Sequence, residues 1–234
     1  MKTMFKTSLA TLLLLMTISC KKENSSLKYS PVNVESSNKD LSADNAVAAT
    51  GLIIGTQRWM PANLTVAKYR NGDPIKQVKN PGAWANLTTG AWCWYNNDSV
   101  NGRIYGRLYN WYAVNDPRGL APTGWHIPSD AEWTTLATFL GGDAIAGGKM
   151  KEIGTTHWLS PNVGATNSSG FTALPGGMRQ NGGSVLLGSW SSWWSSTPGD
   201  NDMICGRFIF VSDINLGRSL TEKDFGYAVR CIKD

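Results

Sequence analysis

Every tryptophan and every glycine of this chain lies beyond residue 50. The 234 residues include 11 Trp and 25 Gly, and the first 50 residues contain neither. An indole ring buries a large apolar area, and glycine permits the left-handed backbone conformations that tight turns require. This distribution predicts one domain over residues 51–234, with an aromatic core, long loops and few long helices.

The first 20 residues have the composition of a secretory signal. Two lysines precede an uncharged stretch, residues 8–19, which ends at Cys20. The stretch is too short to remain as a span across about 30 Å of hydrocarbon. A cysteine at the cleavage point resembles the lipobox of bacterial lipoproteins, although Thr17 stands where that motif usually has Leu. We expect residues 1–19 to be removed and Cys20 to be acylated; an ordinary secreted protein is the alternative.

Acylation at Cys20 implies a lipid-anchored, extracytoplasmic protein of the bacterial cell envelope, in the outer membrane. Residues 20–50 are rich in Ser, Asn, Lys, Asp and Ala. Such a segment buries too little apolar surface to offset its ordering entropy, so we predict a flexible stalk. Loss of the two signal lysines leaves 20 Lys+Arg against 17 Asp+Glu, a net charge of +3. That balance disfavours a dedicated nucleic-acid binder.

Two helices are predicted from the spacing of apolar residues. Residues 105–114 carry apolar side chains at i, i+3 and i+4 from Leu108 onward, which indicates an amphipathic helix. Residues 130–140 follow a capping box, in which the side chains of Ser129 and Glu132 bind each other's backbone amides. Behind the box the apolar residues recur with helical spacing, so we expect a second helix there.

The other apolar segments are predicted to be strands. In the last of them the side chains alternate, with Tyr227, Val229 and Cys231 on one face. Helices early in the domain and strands late in it are typical of an α+β fold. The predicted strands are residues 51–59 with a turn at Gly55, then 92–95, 193–196, 204–211 and 227–232.

Six motifs occur in order along the domain. They are GTQRWMPANL from Gly55, YGRLYNW from Tyr105, GWHIPSDAEW from Gly124, ATNSSGFTALPGG from Ala165, WSST from Trp194 and GYAVRC from Gly226. Together they resemble the Fibrobacter succinogenes major paralogous domain, a family of secreted and lipid-anchored bacterial proteins, over nearly all of residues 51–234. That family has no agreed biochemical activity, so the resemblance indicates the domain without indicating its function.

The family is similar in turn to the C-type lectin-like fold, which includes the formylglycine-generating enzymes. This resemblance implies a small, twisted, mostly antiparallel sheet with two flanking helices and long loops. Formylglycine chemistry needs two neighbouring cysteines. The domain has Cys93, Cys205 and Cys231, which are far apart in sequence. We predict a disulfide between Cys205 and Cys231, on two late strands, with Cys93–Cys231 as the alternative.

Tryptophans set among polar residues are the candidates for ligand contact. An exposed indole can stack on a sugar ring while polar neighbours bind the hydroxyls. The alternative is that most of the indoles fill the core. The predicted ligand-binding residues are Trp190, Trp193, Trp194, Arg179 and Asn201.

No cofactor is expected, and calcium is the alternative. Asn96, Asn97 and Asp98 offer oxygen ligands of the kind calcium prefers, although Asn-Asn-Asp is also typical of a turn. Residues 200–202 offer a second such group. The chain has two histidines, too few for a zinc site.

These features favour a non-catalytic domain that binds an extracellular polysaccharide or a partner protein. Its variable binding residues are expected in the loops at residues 141–167 and 174–190. The alternatives are an envelope enzyme that uses Glu132, Asp130 or His126, and a structural subunit of a surface complex.

Overall fold

The computed structural model describes residues 51–234, and within them none of the helices is long and apolar enough to cross a membrane. The expected signal, Cys20 and the expected stalk lie outside the described residues. The helices are α1 (Pro81–Ala85), α2 (Ser99–Tyr105), α3 (Trp111–Val114), α4 (Asp130–Phe139) and α5 (Asp143–Met150). The strands are β1 (Leu52–Ile54), β2 (Gln57–Trp59), β3 (Lys76–Gln77), β4 (Ala91–Cys93), β5 (Leu108–Tyr109), β6 (Trp125–His126), β7 (Met178–Gln180), β8 (Gly183–Val185), β9 (Trp190–Pro198), β10 (Ile204–Phe210), β11 (Gly217–Thr221) and β12 (Ile232–Lys233).

The strands of this region form several small sheets rather than one. Their orders are β1-β2-β12-β6, β11-β10-β9, β3-β4-β5 and β7-β8. The pairings are antiparallel except for β3 with β4. The predicted α+β class is confirmed, but the expectation of one sheet with two flanking helices is wrong. The described residues contain additional short helices, and one of them, α5, occupies part of the expected loop at residues 141–167.

The predicted helix at residues 130–140 is confirmed as α4. Ser129 Oγ accepts from the Glu132 amide at 3.2 Å, and Glu132 Oε2 accepts from the Ser129 amide at 2.7 Å. The helix buries Trp133, Leu136 and Ala137. Because the signal depends on contacts within one helical turn, the sequence alone was sufficient to find it.

The predicted helix at residues 105–114 is wrong. Helix α2 ends at Gly106, whose φ of 85° breaks the helical path, and the chain then extends through β5. Tyr109 exchanges backbone hydrogen bonds with Tyr227, at 2.9 and 3.1 Å. A new helix, α3, begins only after Asn110, which caps it. The long-range pairing with Tyr227 therefore outweighs the local helical pattern.

The C-terminal segment separates two parts of the core, as its alternation predicts. Tyr227, Val229 and Cys231 belong to a buried cluster that also contains Trp111, Trp125 and Trp194. Ala228 and Ile232 belong to a second cluster, with Trp59, Trp133, Trp158 and Trp193. One extended segment thus contributes side chains to both clusters, because successive residues point to opposite faces.

Candidate functional site

Trp193 and Trp194 are completely buried, so the expectation that they face solvent is wrong. They are neighbours on β9 and point to opposite faces of the strand, both of which are covered by core. The Trp193 indole donates to Asn63 Oδ1 at 2.9 Å, and the Trp194 indole donates to the Tyr109 carbonyl at 2.7 Å. Neither ring can therefore stack on a ligand in this structure.

Arg179 is also part of the interior, with only 1% of its surface exposed. Its guanidinium donates to the carbonyls of Val78 and Lys79 and lies 4.6 Å from the centre of the Trp84 ring. Trp190 is half-buried and stacks on Phe208, with ring centres 4.3 Å apart and planes inclined by 12°. These contacts indicate structural roles for both side chains.

Asn201, by contrast, is exposed and lies at a surface depression. The depression has a volume of about 590 Å³, and we call it the Glu222 depression. Its lining includes Tyr112, Asp202, Glu222, Lys223 and Asp224. Lys223 Nζ pairs with Asp202 Oδ1 at 2.9 Å.

A second depression of about 450 Å³ adjoins the first, since Thr88 and Tyr112 line both. We call it the Trp111 depression and call the two together the Tyr112 groove. The walls of the Trp111 depression are the turn at residues 69–76, the loop at residues 88–90 and the segment 111–118. No residue of the loops at 141–167 and 174–190 lines either depression.

Asn110 holds the walls of the Trp111 depression together. It is completely buried, and its Oδ1 accepts from the amides of Ala91 and Ala113, at 2.9 and 3.1 Å. Its Nδ2 donates to the Thr89 carbonyl at 2.8 Å. The same side chain thus caps α3 and fixes the neighbouring loop, which sets the position of Tyr112 relative to Thr88.

Two buried aromatic residues of this depression have polar groups without hydrogen-bond partners. Tyr69 is 3% exposed and Trp111 is 7% exposed, and neither the Tyr69 hydroxyl nor Trp111 Nε1 makes a hydrogen bond of good geometry. The Tyr69 hydroxyl packs against Gly90, and the Cβ of any other residue at position 90 would overlap it. Both polar atoms are shielded from solvent, and the Tyr69 hydroxyl interacts with the Asp116 carboxylate, so neither atom is presented to a ligand in the depression.

Charged groups flank these aromatic residues. The Arg118 guanidinium lies 4.1 Å from the centre of the Tyr69 ring and binds Asp116 through two contacts, at 2.8 and 2.9 Å. Asp73 accepts a third contact at 3.1 Å. Hydrogen bonding to Arg118 lowers the pKa of Asp116 to about 2. Burial, with help from the Asp116 charge, raises the pKa of Tyr69 to about 12. At neutral pH the depression therefore combines an ionised carboxylate with a neutral phenol.

The predicted calcium ligands at residues 96–98 have turn and capping roles. Asn96 and Asn97 adopt positive φ, and Asp98 Oδ1 accepts from the Val100 amide at 2.8 Å to cap α2. Asn97 Nδ2 donates to the Lys79 carbonyl. Over residues 51–234, no group of three His, Cys, Asp or Glu side chains is close enough to hold a metal ion.

The predicted disulfide between Cys205 and Cys231 is wrong, and so is its alternative with Cys93. All three thiols are buried and free. Cys205 Sγ lies 3.1 Å from the Arg218 guanidinium on the β10–β11 sheet, whereas Cys231 faces the cluster that contains Trp125. Burial raises the pKa of the Cys231 thiol to about 12. The prediction rested on the late position of Cys205 and Cys231 in the sequence. That position does not determine which face of the chain each thiol occupies.

The residues of the alternative enzyme hypothesis are only partly brought together. His126 Nε2 lies 2.8 Å from Glu132 Oε1, and His126 Nδ1 lies 2.8 Å from Asp234 Oδ1. Asp130 instead pairs with Arg207 and Arg218, at 2.7 and 2.8 Å. An imidazole can donate to two carboxylates only when it is protonated. This geometry therefore stabilises the imidazolium form of His126.

The pKa values of His126 and Glu132 shift in the directions that this pairing requires. Burial lowers the pKa of His126, but hydrogen bonds to Glu132 and Asp234 outweigh it and leave the pKa raised. Burial raises the pKa of Glu132, but hydrogen bonds from Ser129 and His126 outweigh it and leave the pKa lowered. Glu132 is thus held as a carboxylate, which is unlike the general acid of a glycosidase, whose pKa is raised.

Stability is expected to fall as the pH rises above the ordinary histidine value of 6.5 and through the raised pKa of His126. Because the pKa of folded His126 is raised, its contribution is complete below the ordinary value of 6.5 and is lost as the pH passes through the raised value. Glu132 contributes in the opposite direction, above its ordinary value of 4.5, and that contribution is lost in acid. Thermal melts of wild type and His126→Gln at a series of pH values test this. If the melting temperature of His126→Gln falls with pH as steeply as that of the wild type, other groups cause the effect.

Comparison with models of protein families matches residues 52–233 to the Fibrobacter succinogenes major domain. This match confirms the family that the six motifs indicated. No curated protein and no solved structure gives a significant match.

Proposed function

The chain belongs to the Fibrobacter succinogenes major domain family, and from its surface we propose that it binds an extracellular polysaccharide in the Tyr112 groove. The observation that carries the proposal is the groove itself, in which the half-buried Tyr112 joins two depressions lined by hydroxyl, amide and carboxylate groups, among them the ionised Asp116. The protein is proposed to be a non-catalytic lipoprotein of lectin-like architecture, anchored at Cys20 in the outer membrane.

The chemistry of the Trp111 depression suits a sugar. The half-buried Tyr112 offers a ring to the apolar face of a pyranose. Thr88, Asn115 and Asp116 line the same depression and offer hydroxyl, amide and carboxylate groups to the sugar hydroxyls. The lining mixes aromatic and polar groups, whereas the centre of a stable protein interface is more apolar.

The absence of catalysis in this proposal is supported by the pKa values. Hydrolysis of a glycosidic bond needs a carboxylic acid that remains protonated until it donates. The pKa of Asp116 and that of Glu132 are both lowered, so these two side chains are carboxylates at neutral pH. Asp116 then acts as a hydrogen-bond acceptor for the ligand.

Replacing Tyr112 with alanine is expected to reduce glycan affinity at least tenfold, about 1.4 kcal/mol, because the shared stacking surface of the groove is removed. The experiment is a glycan-array screen of the purified chain, followed by calorimetric titration of the glycans retained. Tyr105→Ala, at a half-buried tyrosine that does not line the groove, serves as the matched control. Melting temperatures establish that both variants are folded.

Two outcomes would overturn the proposal. One is a folded wild-type chain that retains no glycan, with or without calcium. The other is a Tyr112→Ala variant that binds as tightly as the wild type. Retention of a protein from the same envelope, in place of any glycan, would favour the alternative of a partner-binding domain.

A further inference from the structure

We propose that the Tyr112 groove binds the interior of an uncharged polysaccharide, several sugar units at a time, and discriminates against acidic polysaccharides. This inference rests on the proposed function and specifies its ligand class. It depends on two observations: the two depressions adjoin at one aromatic side chain, and their charges differ.

The adjoining depressions provide more than one sugar subsite. Their volumes, about 450 and about 590 Å³, each fall within the range of ordinary ligand pockets. Thr88 and Tyr112 line both, so a chain that leaves one depression at Tyr112 enters the other directly. Recognition of a chain end requires a single enclosed pocket, whereas two adjoining surface depressions fit a chain that continues in both directions.

The Trp111 depression offers neutral hydrogen-bonding groups to a sugar. Thr88, Thr89 and Asn115 line it beside Tyr112. Its carboxylate, Asp116, is already bound to Arg118 at two positions. Lys76 adds a positive charge to this half, so the Trp111 depression does not share the excess of carboxylates found in the Glu222 depression.

The Glu222 depression carries uncompensated negative charge. Asp202, Glu222 and Asp224 line it against a single ammonium group, that of Lys223. Lys223 Nζ is bound to Asp202 at 2.9 Å, so one positive group faces three carboxylates. A uronate or sulfate in this half would be repelled, whereas the hydroxyls of a neutral sugar can donate to the carboxylates.

The test is calorimetric titration of the full chain with oligosaccharides of graded length. The neutral probes are cello-, xylo- and laminari-oligosaccharides of one to six units, and the anionic probes are oligogalacturonides of the same lengths. For a neutral series that binds, we expect at least tenfold tighter binding of the hexasaccharide than of the disaccharide. Oligogalacturonides are expected to bind at least tenfold more weakly than neutral chains of equal length.

Two variants assign these effects to the Glu222 depression. Glu222→Ala is expected to reduce the gain in affinity from disaccharide to hexasaccharide at least threefold. Asp200→Ala is the matched control, because Asp200 is an exposed acid near Asn201 that does not line the groove. The double variant Asp202→Asn with Glu222→Gln is expected to improve oligogalacturonide binding at least threefold.

The possible failures are distinguishable. If no oligosaccharide binds and the glycan array is also empty, the proposed function itself is overturned. If a monosaccharide binds as tightly as the hexasaccharide, or if oligogalacturonides bind as tightly as neutral chains, the proposed function stands and this inference is wrong. An unchanged length dependence in Glu222→Ala would also contradict the inference.

Discussion

Replacing Asn63 with leucine is expected to lower the free energy of unfolding by about 3–5 kcal/mol. Asn63 Oδ1 accepts from Arg230 Nε at 3.0 Å and from Trp193 Nε1 at 2.9 Å, while its Nδ2 donates to the Tyr105 carbonyl at 2.9 Å. Leucine has as many side-chain heavy atoms as asparagine and leaves no cavity, so the loss comes mainly from the hydrogen bonds. Two buried donors, one of them charged, would lose their shared acceptor.

The burial of Arg230 explains why the effect is large. The side chain is 2% exposed, and its Nη1 donates to the carbonyls of Met60, Pro61 and Phe171. Burial lowers the pKa of Arg230 to about 9, which is the desolvation penalty that these hydrogen bonds must offset. Removal of one partner from a buried charge is among the most destabilising single changes.

Urea denaturation of the wild type and two variants measures the prediction. Asn63→Asp keeps an acceptor for both donors and is expected to lose less stability than Asn63→Leu. Asn71→Leu, at an exposed turn residue, is expected to change the free energy of unfolding by less than about 1 kcal/mol. If Asn63→Leu is no worse than Asn71→Leu, the network is not a significant source of stability.

Replacing Trp193 with alanine is expected to lower the free energy of unfolding by about 4–5 kcal/mol. The ring is completely buried, with centroids 5.7 Å from Trp133 and 5.5 Å from Phe171. Truncation removes these contacts, leaves a large cavity between α4 and β9, and deprives Asn63 of one donor. The surrounding aromatic rings are rigid and can close only part of such a cavity.

A comparison of Trp193→Ala with Trp190→Ala distinguishes a structural role of Trp193 from a role in ligand binding. Trp190 is half-buried on the same strand and has one face covered by Phe208, so its loss is expected to cost about half as much. Melting temperature and glycan affinity are measured on both variants. If Trp193→Ala keeps the wild-type melting temperature but loses ligand, Trp193 is a binding residue, and the assignment of the site to the Tyr112 groove is wrong.

The position of the candidate site could not have been predicted from sequence spacing. The residues that line the Trp111 depression come from segments around 69, 90 and 111–118, and Asn110 joins two of these segments through contacts across about 20 positions. One signal was available: a few residues after Trp111 and Tyr112 the chain reads Asn115-Asp116-Pro117, which is typical of a turn. The segment before that turn was interpreted as a helix. Of the five predicted ligand-binding residues, Asn201 lies at the groove.

What the sequence alone determined are the features that depend on neighbouring residues. The capping box of Ser129 and Glu132 defined α4, the alternation after Gly226 placed side chains on two faces, and the ordered motifs identified the family. Tertiary structure alone decided which tryptophans are buried, which face each cysteine takes and that Tyr112 and Glu222 line one depression. The physical reason is distance along the chain: capping and alternation act over a few residues, whereas burial depends on segments that meet only after the whole domain has folded.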